Sequence, residues 1–431
     1  MTAAPVAPHH GHSHGSAPSS GRVRPTGRAR ATVVVLTVLT TLASFLGMAL
    51  LWPPAGTMDG IRAAAGTGWA ETTTERATVI TTADLACPGT SLDRLPDGTV
   101  PADVLCPVVR ARVATGPSSG EVVEVPLPPQ VLDGGLEAGD AVRLARYPAM
   151  DGQPAGWSWV DVSRTRPLAV LVGAFVLLTA VVGRRRGLAA LGGMALAGAV
   201  LALFMVPALL AGEPPVLVAL SGCTAIMSVV LYATHGFSLR TAAAHLGTVS
   251  GLALVAVAAW AAVGATHLQG LNDEDSAYLG QLTSVDTLTG LVLAGVVLAG
   301  VGVLNDVTIT QASAVWEVRE HAPDAGFGLL MSSGLRIGRD HLASTVYTVA
   351  FAYAGAALPT LVLLQVADPS LLDAVGSSAI AEEVVRTAVG GACVALAVPI
   401  TTAVAAATMA RASAVGHKAH GRRLAHPRAG V

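Results

Sequence analysis

Leu291-Val292-Leu293-Ala294-Gly295-Val296-Val297-Leu298-Ala299-Gly300-Val301-Gly302-Val303-Leu304 holds no charged side chain. Asn305-Asp306-Val307-Thr308-Ile309-Thr310-Gln311-Ala312-Ser313-Ala314-Val315-Trp316-Glu317 follows it without a break. The apolar part belongs to a run starting near residue 287, about as long as a bilayer core is thick at ~1.5 Å per residue. Comparable runs lie near 31–51, 168–183, 188–210, 214–234, 242–264, 343–366 and 388–409. The pattern predicts an α-helical polytopic membrane protein of about eight transmembrane helices.

Composition agrees. Of 431 residues, 52% are hydrophobic and 13% charged, too few charges to clothe several water-soluble domains. Disorder is excluded for most of the chain. The four cysteines have no zinc-finger or disulfide-rich spacing. A net charge of −2 without a long basic stripe removes the electrostatic basis for nucleic-acid binding.

Basic residues set the expected sidedness. Arg22, Arg24, Arg28 and Arg30 precede the first run, which exits through Trp52-Pro53-Pro54 with no clean Ala-x-Ala site. A signal anchor fits better than a cleaved signal peptide. Arg184-Arg185-Arg186 and the basic C-terminal tail put both termini in the cytoplasm, against the weaker vote of Arg164 and Arg166. The expected organisation is a His/Arg-containing cytoplasmic tail at 1–30, an anchor at 31–51, an extracytoplasmic β-rich domain at 52–167, a seven-helix transmembrane domain at 168–410 and a basic cytoplasmic tail at 411–431. Tight helical hairpins are expected around Arg184-Arg185-Arg186 and Glu213-Pro214-Pro215. His9, His10, His12 and His14 carry imidazoles suited to zinc, nickel or copper, but no fixed geometry follows and a soft tail is the simpler reading. His417, His420, Arg422, Arg423 and Arg428 suit anionic lipid headgroups or mark sidedness.

Within 52–167, polar positions recur every second residue in Val108-Val109-Arg110-Ala111-Arg112-Val113, and Glu121–Leu127 and Ala141–Tyr147 are two more strand candidates. A small β-barrel or sandwich is expected. Cys87 and Cys106 lie in it, on the oxidising side under this topology, and are expected to form a disulfide; the alternative is two free thiols. Trp157 and Trp159 are partner anchors, core residues or membrane-interface residues. Cys223 and Cys393, in apolar runs, read as packing residues.

A membrane span requires no polar side chains, so their clustering is informative. On a helix, Asp306, Thr310, Ser313 and Glu317 share one face. One reading is a water-reachable stripe in which Asp306 attracts a proton or cation; the other is a cytoplasmic helix extension with a wet face. Depth decides between them. Gly338-Arg339-Asp340-His341-Leu342-Ala343-Ser344-Thr345-Val346-Tyr347-Thr348 opens a later run, with His341, Thr345 and Thr348 on one face. Asp340 either joins the site or caps its own helix, and His341 is either a proton relay or a boundary histidine. Glu382 and Glu383 precede Arg386 by four and three residues, as local ion pairs or as an acidic vestibule. Pro399 interrupts the last run, where Thr401 or Thr402 can help satisfy a freed carbonyl. Gly247, Gly251, Gly295, Gly300 and Gly302 suit close helix packing.

No phosphate-binding Gly-x-x-x-x-Gly-Lys-Ser/Thr loop, His-Glu-x-x-His zinc motif or nucleophile elbow is present. An enzyme is not expected, nor a cofactor.

Several of these motifs, in order, resemble the bacterial YibE/F-like membrane family. They are Gly300–Glu317, Gly338-Arg339-Asp340, Ala352-Tyr353-Ala354-Gly355, Leu358-Pro359, Glu382-Glu383-Val384-Val385-Arg386 and Ala397-Val398-Pro399-Ile400-Thr401. Gly139-Asp140 and His235-Gly236-Phe237 are similar to shorter family segments. The resemblance covers roughly residues 100 to 410 and implies one N-terminal span, an extracytoplasmic β-rich domain and a multi-span region. Family members usually carry a Met-Asp-Val-Ala-like run where this chain has Asn305-Asp306-Val307-Thr308, so the acid is kept in a more polar setting. The resemblance names no substrate or reaction. With one Lys against 25 Arg and abundant Ala and Gly, it points to a bacterial plasma membrane.

Two functions are expected from these features. In the first, the chain is a permease or ion-coupled secondary transporter, with Asp306, Thr310, Ser313, Asp340, His341 and Thr348 forming the polar site for an unknown small solute or ion. In the second, it is a non-catalytic scaffold or subunit of an envelope complex, binding a protein partner through its outside domain. Both take the lipid bilayer as a partner, and neither takes nucleic acid.

Overall fold

The structure is a computed structural model and describes residues 27–65, 73–88, 91–95, 97–147, 156–271, 274–282, 284–367 and 370–410. The histidine-bearing tail before residue 27 and the basic tail after residue 410 lie outside the described residues. In chain order the elements are α1 (Gly27–Leu50), α2 (Thr57–Ala65), β1 (Thr73–Pro88), β2 (Asp103–Val113), β3 (Val122–Pro126), α3 (Pro129–Asp133), β4 (Ala141–Tyr147), β5 (Gly156–Val162), α4 (Thr165–Val200), α5 (Val206–Leu210), α6 (Pro215–His235), α7 (Leu239–Thr266), α8 (Glu274–Leu282), α9 (Val285–His321), α10 (Phe327–Ala356), α11 (Leu358–Ala367), α12 (Leu371–Gly376) and α13 (Ser378–Ala410). One π turn, Leu201–Met205, joins α4 to α5.

The chain divides into two compact units. One contains residues 48–218 and 269–291, including the antiparallel sheet, whose strand order is β3-β2-β1-β4-β5. Three strands run as a meander and β4 returns beside β1, which is a Greek key. Register shifts at Val79/Thr81 and Arg143/Leu144 are bulges of the kind that curl a sheet, and β3 and β5 approach each other. Inward positions alternate along parts of β1 to β4, and Ala77, Val79, Val109, Ala111, Val113, Val123, Val125, Val142 and Leu144 form the core. Trp157 and Trp159 of β5 pack against that core.

The expected Cys87–Cys106 disulfide is not formed; both thiols are free. In register, Cys87 faces Val104 and Cys106 faces Leu85, which makes the cysteines diagonal neighbours. The thiols still interact: a hydrogen bond with Cys87, followed by burial, pushes the Cys106 thiol up to about 11.

Among the described residues, six helices are long and apolar enough to cross a membrane, or seven if the pair α10–α11, bent by 63°, counts as one span. Thr165–Leu210 counts as one of the six, at 46 residues. It is not straight. Arg184 has φ 49° and ψ −130°, and a Cβ on Gly187 would lie 2.1 Å from the carbonyl oxygen of Thr179. A straight helix separates those positions by about 12 Å, so the chain bends sharply at the Arg184-Arg185-Arg186 triplet. Long apolar helices of this number mark a membrane protein.

The second unit contains α1 through Gly47, α6 from Ala219, α7, α9 from Val292, and α10 to α13. Glycines set several of its crossings. A Cβ on Gly247 of α7 would fall 2.2 Å from the Thr401 hydroxyl of α13, one on Gly251 2.9 Å from Leu304, and one on Gly300 3.1 Å from Val255. Bare glycine lets these helices approach closely. Gly295 and Gly302, expected to do the same, have nothing within 4 Å.

Candidate functional site

A buried hydroxyl pair fixes where α9 meets α7. Thr248 and Thr308 share a 2.7 Å hydrogen bond and both are fully buried. With Gly251 against Leu304 and Gly300 against Val255, the two helices are in register over several turns. Thr248 lies about 14 Å from the start of α7, a helix about 42 Å long. Asp306 lies between Leu304 and Thr308 in sequence and is therefore level with the middle third of α7.

At that level α9 meets α10. Oδ2 of Asp306 lies 3.5 Å from Nε2 of His341. The separation makes the pair an ion pair when the imidazole carries its second proton and a loose contact otherwise. The Asp306 side chain is 70% exposed and that of His341 32%. Beyond Gly338 only Val349 of α10 is buried, and no residue of α11 is, so this side of the chain is open. Next to the acid in sequence, Oδ1 of Asn305 is buried without a hydrogen-bond partner, leaving an acceptor unsatisfied.

The remaining expected residues divide. Thr310 is half-buried one helical turn below Asp306. Ser313 turns its hydroxyl back to the Ile309 carbonyl (2.7 Å), and Thr348 does the same to Ser344 (3.1 Å). Such bonds occupy the donor and leave oxygen lone pairs available. Asp340 is exposed, and the acid paired with His341 is Asp306. Glu317 is exposed and pairs with His321 on its own helix (3.6 Å).

Gln311 does more than its place on a neighbouring face indicates. Its side-chain amide donates to the Gly334 carbonyl (2.6 Å) and to the Thr402 hydroxyl (2.7 Å), tying α9, α10 and α13 together just below the acid. Gly334 and Gly338 leave room for it: a Cβ on Gly338 would lie 2.7 Å from the Gln311 amide oxygen. Near Pro399, the Thr402 hydroxyl donates to Val398 (2.6 Å) while Thr401 packs against Gly247.

Farther along α10 and α13, Arg386 pairs with Glu382 at 2.6 Å and with Glu383, and its guanidinium lies 5.9 Å from the centre of the Tyr353 ring. His341 and Tyr353 are about 18 Å apart along α10. One helix thus carries both the histidine of the acid site and the aromatic under the Arg386 cluster.

Several buried polar residues went unread in the sequence, His245 and Arg319 among them. His245 is fully buried in α7, with Nε2 3.2 Å from the Thr40 hydroxyl of α1. Arg319 is 1% exposed and donates to the Ala325 carbonyl (2.5 Å). A histidine inside an apolar run is a signal in itself; the burial of Arg319 depends on how the 322–326 turn folds back. Among the described residues no three His, Cys, Asp or Glu side chains converge as a metal site would require.

The fold and site define a polytopic helical membrane protein with a carboxylate–imidazole pair between two of its helices. A profile of the YibE/F-like protein family matches residues 171–411, more than half of the chain. The chain belongs to that family. No curated protein and no solved structure matches it.

Proposed function

We propose that this protein is an ion-coupled permease whose coupling site is Asp306 with His341. The observation that carries this reading is the 3.5 Å contact between the two side chains, level with the middle third of α7. A carboxylate at membrane depth costs several kcal/mol unless it is paired, protonated or wet, so an ionisable residue there marks a candidate functional site. A proton or monovalent cation bound between Asp306 and the imidazole changes the charge between α9 and α10. The open side of α10 and the bend into α11 give that change something to move. The Glu382–Glu383–Arg386 cluster then serves as the outer entrance. The full proposed topology has eight crossings of a bacterial plasma membrane, both termini cytoplasmic and the sheet outside.

The test is gradient-driven flux in reconstituted vesicles. Asp306→Asn abolishes flux while expression and assembly stay unchanged; His341→Gln shifts its pH profile. Flux no greater than that of empty vesicles across inorganic cations, anions and small organic solutes would refute transport. It would leave an envelope scaffold acting through the sheet.

A further inference from the structure

α1 builds a feature that the acid site does not use. Ala29, Val33, Thr37 and Ser44 are buried along one face of this helix. The seam is tied by Thr40 to His245 and by Thr41 to Ser228 on α6 (3.4 Å). Beside the seam the helices part, and a cavity of about 780 Å³ opens between α1, α6 and the start of α7. That volume falls within the range of ligand-binding clefts, about 300–1,000 Å³.

Along its α1 wall, Arg30, Val34, Val38, Leu42 and Phe45 step by four and then three along one face, with Thr37 and Thr41 at its edge. From Arg30 to Phe45 the face is about 22 Å long. It is hydrocarbon throughout except at its first residue, the only charged side chain among the lining residues. Five lining residues carry hydroxyls: Thr41 and Ser228 are engaged with each other, Ser238 caps α7 through the Thr241 amide (3.1 Å), the Thr37 hydroxyl is buried without a partner, and Tyr232 stacks on Phe237. Beyond Arg30, these hydroxyls are scattered along a wall that is otherwise hydrocarbon, and they do not form a charged or continuous polar row. A long apolar trough ending in one guanidinium has the chemistry of an amphiphile with an anionic head, because the fork of Arg binds phosphate oxygens in pairs.

We propose that this cavity holds an acyl chain of an anionic phospholipid, with its phosphate at Arg30. Charge complementarity selects this occupant. Residues 1–26, which precede α1, are rich in His, Pro, Ser and Gly and carry Arg rather than acids, so they match neither trough nor charge. A second copy lying parallel would bring its own Arg28 and Arg30 to the same level and add like charge. The lipid site is separate from the acid site and stands whether or not the chain transports.

The test uses the full chain reconstituted with two photoactivatable probes, phosphatidylglycerol and phosphatidylcholine with the same diazirine-bearing acyl chain. Labelling is expected on the α1 and α6 peptides that line the trough. Phosphatidylglycerol should be preferred about fivefold, the contribution of one arginine at a membrane surface. Arg30→Gln, an exposed change that leaves the helix seam intact, removes the preference without lowering phosphatidylcholine labelling. Val38→Trp fills the trough and lowers labelling by both probes. Equal labelling by the two headgroups in the unaltered chain would overturn the proposal. So would labelling unaffected by both substitutions, or crosslinks joining two copies of the chain through this face.

Discussion

Thr248 of α7 and Thr308 of α9 are hydrogen bonded at 2.7 Å with no solvent exposure on either side chain. That contact puts Asp306 about 16 Å along its neighbour of about 42 Å, just inside the middle third of α7. One hydroxyl donates across the pair and the other donates to a backbone carbonyl of its own helix, for which the Ala244 carbonyl lies 3.1 Å from Thr248 and that of Asn305 3.3 Å from Thr308. The pair is thus a height marker built from ordinary residues, and its energetics are measurable.

Replacing either threonine by valine should destabilise the folded chain by about 1 kcal/mol, in the range of inter-helix hydrogen bonds inside membranes. The double replacement should cost less than the sum of the single ones, because the second removes a group already left unpaired. A double-mutant cycle on unfolding in mild detergent measures the coupling; strict additivity would show that the bond contributes nothing.

Gly338 and Gly302 make a paired test of close packing. A Cβ on Gly338 would lie 2.5 Å from Val398 Cγ1, whereas one on Gly302 meets nothing within 4 Å. Gly338→Ala should lower stability by about 1–3 kcal/mol through overpacking and loosen the Gln311 tether. Gly302→Ala should be neutral or slightly stabilising from its gain in helix propensity. Thermal unfolding of the two variants side by side gives the comparison.

The Cys106 thiol is held at about 11 by the adjacent Cys87. Its reactive thiolate is therefore scarce at neutral pH. Alkylation of Cys106 at pH 8 should run roughly a hundredfold slower than that of an unperturbed thiol, and Cys87→Ala should restore an ordinary rate. Peptide mapping after timed iodoacetamide treatment reads both.

In β5, the guanidinium of Arg164 (2.6 Å) and the Val162 amide (2.7 Å) hold the Asp161 carboxyl below the usual range. A lowered folded-state pKa stabilises the charged form. The contribution is complete above the unfolded value of about 3.9 and disappears as pH falls through the folded one. Stability of the sheet should therefore show no dependence on this pair between pH 6 and 8 and a loss on the acid side. Arg164→Gln should flatten that acid-side loss, as followed by tryptophan fluorescence from Trp157 and Trp159.

Strong periodicity was legible in the sequence and weak periodicity was not. β2, β3 and β4 coincide with strand candidates, because Val108 to Val113 and Ala141 to Tyr147 place small or branched apolar residues at alternate positions. β1 is the longest strand, yet Thr73–Pro88 carries threonines on both faces and a bulge that breaks its alternation, so it gave no period-two signal. The apolar runs appeared as helices, but a hydropathy count does not distinguish a span from a helix extending past it: α9 continues to His321. The site divides in the same way. Asp306 and His341 stood out as polar residues in apolar surroundings, whereas their pairing needed α9 and α10 side by side. A disulfide was expected from cysteine content and sidedness; strand pairing sets the two thiols on adjacent strands, one diagonal apart and without a bond between them.

Single cysteines from Gly300 to Glu317, in a chain with Cys87, Cys106, Cys223 and Cys393 replaced, probe the central claim with an impermeant thiol reagent applied from each side of the membrane. Water reaching Asp306 at membrane depth predicts labelling at 306, 310 and 313, with Leu304, Val307, Thr308 and Gln311 protected by their burial. Uniform labelling of every position from 305 onward, from the cytoplasmic side alone, would place the acid in bulk solvent and contradict a coupling site.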